Sequence, residues 1–339
     1  MVQDTAGERK LVTGDVLRDR IRGSLLGTAV GDAVGAPLEF LDGHAISARF
    51  GPRGVQAPEP WRGLPAGSVT DDTQLTVATA LGLADAERDV AAGRVHDPVG
   101  RVLDRYEEWY RSQADPVHRR APGATCLTAL REAAGGYRGR ARNDSKGCGG
   151  VMRIAPLGLV PQRGDVFALG CELAGLTHGH PTGYLAAGFL AALVARVVGG
   201  QPIDGALDAC QSELTTYARH QETSRAVSQA RRLAASPCSL AEGIEALGAG
   251  WVAEETLAIA LFCHLRYPGD WAAAVLGAAN HGGDSDSTAA VAGALAGAVL
   301  GIGALPGDWV AVVEDRAGLL ALADELWRLH GACGGRPCG

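Results

Sequence analysis

Glycines at Gly23, Gly27, Gly31 and Gly35 stand four residues apart, and Gly293, Gly297 and Gly301 repeat that interval far along the chain. The first set shares its stretch with Leu17, Ile21 and Leu25, which also recur every four residues, the spacing of an amphipathic helix. Each glycine on such a helix costs about 1 kcal/mol relative to alanine. A helix that keeps four of them needs close approach to another backbone or a ligand to offset the loss. Composition agrees: the 339-residue chain has 48 glycines and only 5% aromatic residues. Its core must therefore rest on small side chains and close backbones. The glycines follow no three-residue period, which excludes a collagen-like fibre.

The rest of the chain also reads as helical. Val99, Val102, Leu103, Tyr106, Trp109 and Tyr110 mark another amphipathic helix, and residues 185–198 form a small-residue apolar one. Sustained alternation of β-branched and polar residues is missing, and there is no βαβ rhythm. Loops are expected at residues 51–67 and 135–150. The expectation is one all-α domain over residues 12–330, with flexible tails at 1–11 and 331–339. The net charge of −7 argues against binding nucleic acid through bulk charge. Eight scattered cysteines without a Cys-x-x-Cys pair, and a polar start without a signal-peptide core, point to reduced thiols and a cytoplasmic protein. Residues 287–307 carry no charge and approach the length of a membrane span. Their Ala and Gly content, and the preceding Asp284 and Asp286, favour a buried core helix instead.

Two segments look alike. Residues 68–74 (SVTDDTQ) and 282–288 (GGDSDST) each set carboxylates and hydroxyls at the start of an apolar helix. Helix capping explains one such residue per helix but not several. Adjacent Asp71 and Asp72 repel one another unless a positive group lies nearby. Four carboxylates plus hydroxyls make an all-oxygen donor set, suited to Mg²⁺ or Mn²⁺ rather than zinc. Pro37 ends the first helix, and Glu39 follows in the turn, either as a solvated acid or as a carboxylate at the mouth of a site. Residues 143–156 join a Gly-rich loop to an apolar helix, where free amides could cradle phosphate. The P-loop order is absent. His178 and His180 read as capping or packing residues in preference to metal ligands. His281 is placed to hydrogen-bond a neighbouring carboxylate.

Together and in this order, residues 23–39 (GSLLGTAVGDAVGAPLE), Thr70-Asp71-Asp72-Thr73, residues 147–156, residues 177–181 and residues 282–288 resemble the ADP-ribosylglycohydrolase family. The match spans residues 17–301, most of the chain. The resemblance implies a compact orthogonal helical bundle around a central pair of Mg²⁺ or Mn²⁺ ions. It implies Thr70, Asp71 and Asp72 as ligands from the first motif. Asp284, Asp286 and Ser287 would follow from the second, with Asp286 as a bridge. Ser287 stands where members commonly have Thr, and Cys148 where many have Asn. Glu39 matches an acid near the substrate ribose that gates the site or assists proton transfer. Glu39, Asp71 and Asp286 form the implied catalytic set. Gly147, Cys148, Gly149, Gly150, His178, Gly282 and Gly283 form the implied substrate-binding set.

The implied activity is metal-dependent cleavage of the ribose anomeric bond, releasing ADP-ribose from modified protein side chains or small conjugates. Arginine linkage is favoured. Serine-linked or O-acetyl ADP-ribose is an alternative substrate. A di-metal pyrophosphohydrolase and an inactive ADP-ribose-binding protein are alternative functions. A monomer is expected, with no membrane or nucleic-acid partner.

Overall fold

The computed structural model describes residues 13–333. They form helices α1 (Gly14–Gly35), α2 (Gly43–Phe50), α3 (Asp71–Ala91), α4 (Pro98–Ser112), α5 (Ala124–Ala134), α6 (Val166–Gly175), α7 (Pro181–Val198), α8 (Ile203–Leu214), α9 (Gln221–Ala234), α10 (Leu240–Leu247), α11 (Ala253–Arg266), α12 (Trp271–Ala279), α13 (Ser285–Leu300), α14 (Gly307–Val312) and α15 (Arg316–Cys333). The described residues contain no β-strand, only isolated bridges between Trp61 and Leu64 and between Gly147 and Val252. The fold is all-α, as expected. At the carboxy-terminal end α15 runs to Cys333. The His330 ring bonds the Leu159 carbonyl at 2.9 Å and holds that last turn. The remainder of both expected tails lies outside the described residues.

The two glycine stripes face each other. A Cβ built on Gly23 would lie 2.5 Å from the Gly297 carbonyl oxygen, and one on Gly27 would lie 2.2 Å from that of Gly293. Gly31 would meet Ala289, and Gly35 would meet Ser285, each at 2.2 Å from the carbonyl oxygen. The partners descend as the glycines ascend, so α1 and α13 run antiparallel along one backbone-to-backbone seam. The Trp271 indole covers this seam and donates to the Gly293 carbonyl at 3.0 Å. The seam brings the end of α1, and with it Glu39, beside the start of α13, where Asp284, Asp286 and Ser287 stand.

The uncharged segment beginning at Ser287 is largely this buried α13, not a free span. Helix α7 is long and apolar enough to cross a bilayer, but 83% of it is buried inside the fold. Helix α11 is also internal, and its His264 is fully buried with neither ring nitrogen hydrogen-bonded. Burial lowers its pKa to about 4. The unfolded chain therefore binds a proton near pH 6.5 that the folded chain refuses until about pH 4. Stability is lost as pH falls through that window, by about 1.4 kcal/mol per pKa unit. His264→Leu is expected to lose less stability than wild type between pH 6.5 and 4, as read from urea midpoints.

Candidate active site

Helix α3 begins at Asp71 because Thr70 caps it: the Thr70 hydroxyl accepts from the Asp72 amide at 3.2 Å. A second cap comes from α1. The Asp32 carboxylate, at 0% exposure, accepts from the Thr70 amide at 3.0 Å and the Thr73 amide at 3.1 Å, and also from the Thr73 hydroxyl. Burial, reinforced by the charge of Asp286, raises Asp32 to about 7. This residue was not singled out from the sequence. Its signal was an acid inside a glycine stripe, at Gly31-Asp32. Asp32→Ala would orphan three buried donors, and a loss of about 2–4 kcal/mol is expected in chemical denaturation.

At the start of α13, Asp284 is the N-cap and accepts from the Ser287 amide at 3.4 Å. Its other oxygen accepts from the Cys148 thiol at 2.8 Å. Burial and the charges of Asp284 and Asp72 push that thiol well above its ordinary pKa, so it stays a donor. Asp71 accepts from the Gly123 amide at 3.2 Å. These groups line a cleft of about 330 Å³ with Glu39, Phe40, Cys126, Gly147, Gly149, His178, Trp251, Asp286 and Ser287. Phe40, at φ 68°, stacks on Trp251 with ring centroids 5.2 Å apart at the cleft edge. Arg62 lies 5.9 Å over the Phe40 ring.

The electrostatics are one-sided. Asp71, Asp72, Asp284 and Asp286 are all buried, and among the described residues none has an ion-pair partner. Burial first, then mutual repulsion, holds Asp71, Asp72 and Asp284 well above the usual carboxylate range. Glu39 is raised to about 9 by burial and by the charges of Asp286, Asp284 and Asp71. Its Oε2 has no hydrogen-bond partner, and Arg62 Nη2 stands 3.9 Å away. Asp72 Oδ1 is likewise buried and unpartnered. Buried anions without cations are costly, and this donor set is hard oxygen throughout. Among the described residues no group of three or more His, Cys, Asp or Glu side chains is arranged to hold a metal ion by itself. An oxygen-ligand ion that retains several waters does not require such a group.

Of the expected binding residues, Gly147, Cys148, Gly149 and His178 line the cleft, whereas Gly150, Gly282 and Gly283 are not among its lining residues. Thr70 is a buried cap behind the cleft wall. The Gly-rich loop does not open an α-helix either. It forms short 3-10 turns at Cys148–Gly150 and Ala155–Leu159. Two of its amides are already used: Cys148 donates to the Trp251 carbonyl at 3.3 Å and Gly147 to the Ser145 hydroxyl at 3.3 Å. His178 is buried against Thr177 at 2.8 Å and lowered to about 3 by burial and nearby Arg153, so it stays neutral. His180 caps α7. His281 bonds the Thr288 hydroxyl at 2.9 Å rather than a carboxylate.

The family model described as ADP-ribosylglycohydrolase matches residues 13–335. The chain is 27% identical to ADP-ribosyl-[dinitrogen reductase] glycohydrolase of Rhodospirillum rubrum, covering 89% of this chain and 93% of that one. It is 29% identical to ADP-ribosylarginine hydrolase Tri1 of Pseudomonas putida, over 93% and 80% respectively. It is 26% identical to the bovine ADP-ribosylhydrolase ARH3, over 91% and 93%. A solved ADP-ribosylglycohydrolase-related protein complex superposes with TM-score 0.73 at 32% identity, covering 93% of this chain and 99% of that one. With fold, ordered motifs and family model in agreement along nearly its whole length, the chain belongs to the ADP-ribosylglycohydrolase family, enzymes that hydrolytically remove ADP-ribose.

Proposed function

We propose that this cleft hydrolyses the bond between the distal ribose anomeric carbon and an arginine side chain, with two Mg²⁺ or Mn²⁺ ions. The observation that carries this is the group of buried, cation-free carboxylates facing one cleft beneath Glu39. Asp71, Asp72, Asp284 and Asp286 would hold the ions, with the Ser287 hydroxyl beside them and Thr70 fixing the start of α3. Bound there, the ions would supply Lewis-acid orientation of the ribose hydroxyls and of water. The remaining chemistry belongs to the chain. Departure of the leaving group leaves the ribose oxocarbenium-like, and surrounding carboxylates favour that charge. A guanidinium leaving group is itself cationic and suits an acid-lined cleft. It leaves more readily with a proton, and Glu39, whose Oε2 has no hydrogen-bond partner, is the carboxyl at the cleft that would supply one. The names of the Rhodospirillum and Pseudomonas relatives support the linkage.

The test is a panel of arginine-linked and serine-linked ADP-ribosyl peptides and O-acetyl-ADP-ribose, with products separated by chromatography. Free ADP-ribose, released fastest from the arginine peptide, is expected. AMP with ribose phosphate would instead indicate pyrophosphate cleavage. Glu39→Gln keeps the side chain's size but cannot pass a proton. It is expected to lower kcat on the order of 10²- to 10⁴-fold, with metal-induced thermal stabilisation retained. An unchanged kcat would remove the acid role.

A further inference from the structure

The chain carries an overall charge of −7, yet residues 111–146 hold eight Arg or Lys against three Asp or Glu. Part of this segment forms a second groove of about 520 Å³, lined by Tyr110, Arg111, Gln113, Arg119, Leu127 and Arg131 among others. Arg111, Arg119 and Arg131 are exposed there. Arg111 is held by Glu107 at 2.8 Å. Arg119 and Arg131 have no ion-pair partner among the described residues. The three acids of the same segment, Asp115, Glu132 and Asp144, are exposed, and among the described residues none of them forms an ion pair with Arg119 or Arg131, while Arg120 is taken by Glu314 from outside the segment.

The groove and the catalytic cleft share their walls. The loop that carries Arg119 continues directly to residues 121–123, which line the cleft, and the Gly123 amide touches Asp71. Helix α5 contributes Thr125 and Cys126 to the cleft, then Leu127, Thr128 and Arg131 to the groove. The six residue steps from Thr125 to Arg131 span about 9 Å of helix. A modified side chain seated in the cleft would thus lay the neighbouring residues of its own chain across two free guanidinium groups.

We infer that this groove is the docking surface for the acceptor protein and that it selects modified side chains flanked by Asp or Glu. This inference rests on the proposed action on protein-linked ADP-ribose. Opposite charge on an otherwise acidic molecule steers such a segment toward the groove and sets its register. Guanidinium forks suit carboxylates.

Two measurements test it on the full chain, comparing wild type with the Arg119→Gln/Arg131→Gln variant. The first is fluorescence anisotropy of a labelled peptide of alternating Glu and Gly, beside its Gln–Gly counterpart. Wild type is expected to prefer the Glu peptide by about tenfold, the sum of two exposed ion pairs, and the variant to lose that preference. The second is hydrolysis of arginine-ADP-ribosylated peptides. With acidic flanks, KM is expected to rise about tenfold in the variant at unchanged kcat. Free ADP-ribosyl-arginine should be hydrolysed equally by both proteins, which also reports that the variant is folded. No preference between the two labelled peptides in wild type would overturn the inference. So would tighter binding of a single-stranded oligonucleotide of equal length that the same substitutions abolish. If free ADP-ribosyl-arginine is untouched by wild type, the linkage reading fails on its own, and the peptide binding still decides the groove.

Discussion

Asp286→Asn is expected to lower kcat/KM on the order of 10³-fold while leaving the metal-free protein as stable as wild type or more so. The two halves have one cause. The charge of Asp286 contributes to raising Asp32, Glu39, Asp71, Asp72 and Asp284. An amide of the same shape relieves that repulsion and removes a ligand charge together. In thermal melts, Mn²⁺ should raise the Tm of wild type by mass action and that of the variant far less. A variant that is simply misfolded would instead melt lower both with and without metal, and that result would separate the two explanations.

The second large effect concerns the seam between α1 and α13. Gly27→Ala should destabilise the protein by about 3 kcal/mol or more, although alanine is the better helix former by about 1 kcal/mol. The new methyl carbon would sit 2.2 Å from the Gly293 carbonyl oxygen, a backbone atom that cannot swing aside. The helices must separate, and Asp32 and Glu39 move relative to Asp284 and Asp286, so activity should fall with stability. Gly205→Ala in α8 is the contrast. Its nearest neighbour would be the Gln201 Nε2 at 3.5 Å, an ordinary contact, so a gain of about 0.5 kcal/mol is expected. Urea unfolding of both variants measures the difference. Equal behaviour of the two would show that the stripe is not a packing device.

The seam also illustrates what a sequence can disclose. Each stripe was legible as a helix that needs a close partner, because four-residue spacing is a local property. That the two stripes are partners was not legible, since spacing carries no information about which surfaces meet. The acid motifs were visible because several carboxylates and hydroxyls exceeded what capping requires. Asp32 was hidden by the opposite circumstance: it is one acid in a small-residue helix, and its donors, Thr70 and Thr73, lie about 40 residues downstream. In the Gly-rich loop the Cys148 amide is taken by Trp251, about a hundred residues away, a partner that glycine content does not disclose. Phe40 and Trp251 meet across about twice that distance in sequence, and nothing local marks either as a wall of the cleft.

The central claim is that the buried carboxylates act through bound divalent ions to release ADP-ribose. It is tested most directly by following ADP-ribose release from ADP-ribosyl-arginine, first in EDTA and then after adding back Mg²⁺ or Mn²⁺, for wild type, Asp71→Asn and Asp286→Asn. Loss of wild-type turnover in EDTA, its return with either ion, and no comparable return in the two variants is the predicted result. Turnover that persists in EDTA and survives both substitutions would contradict the account.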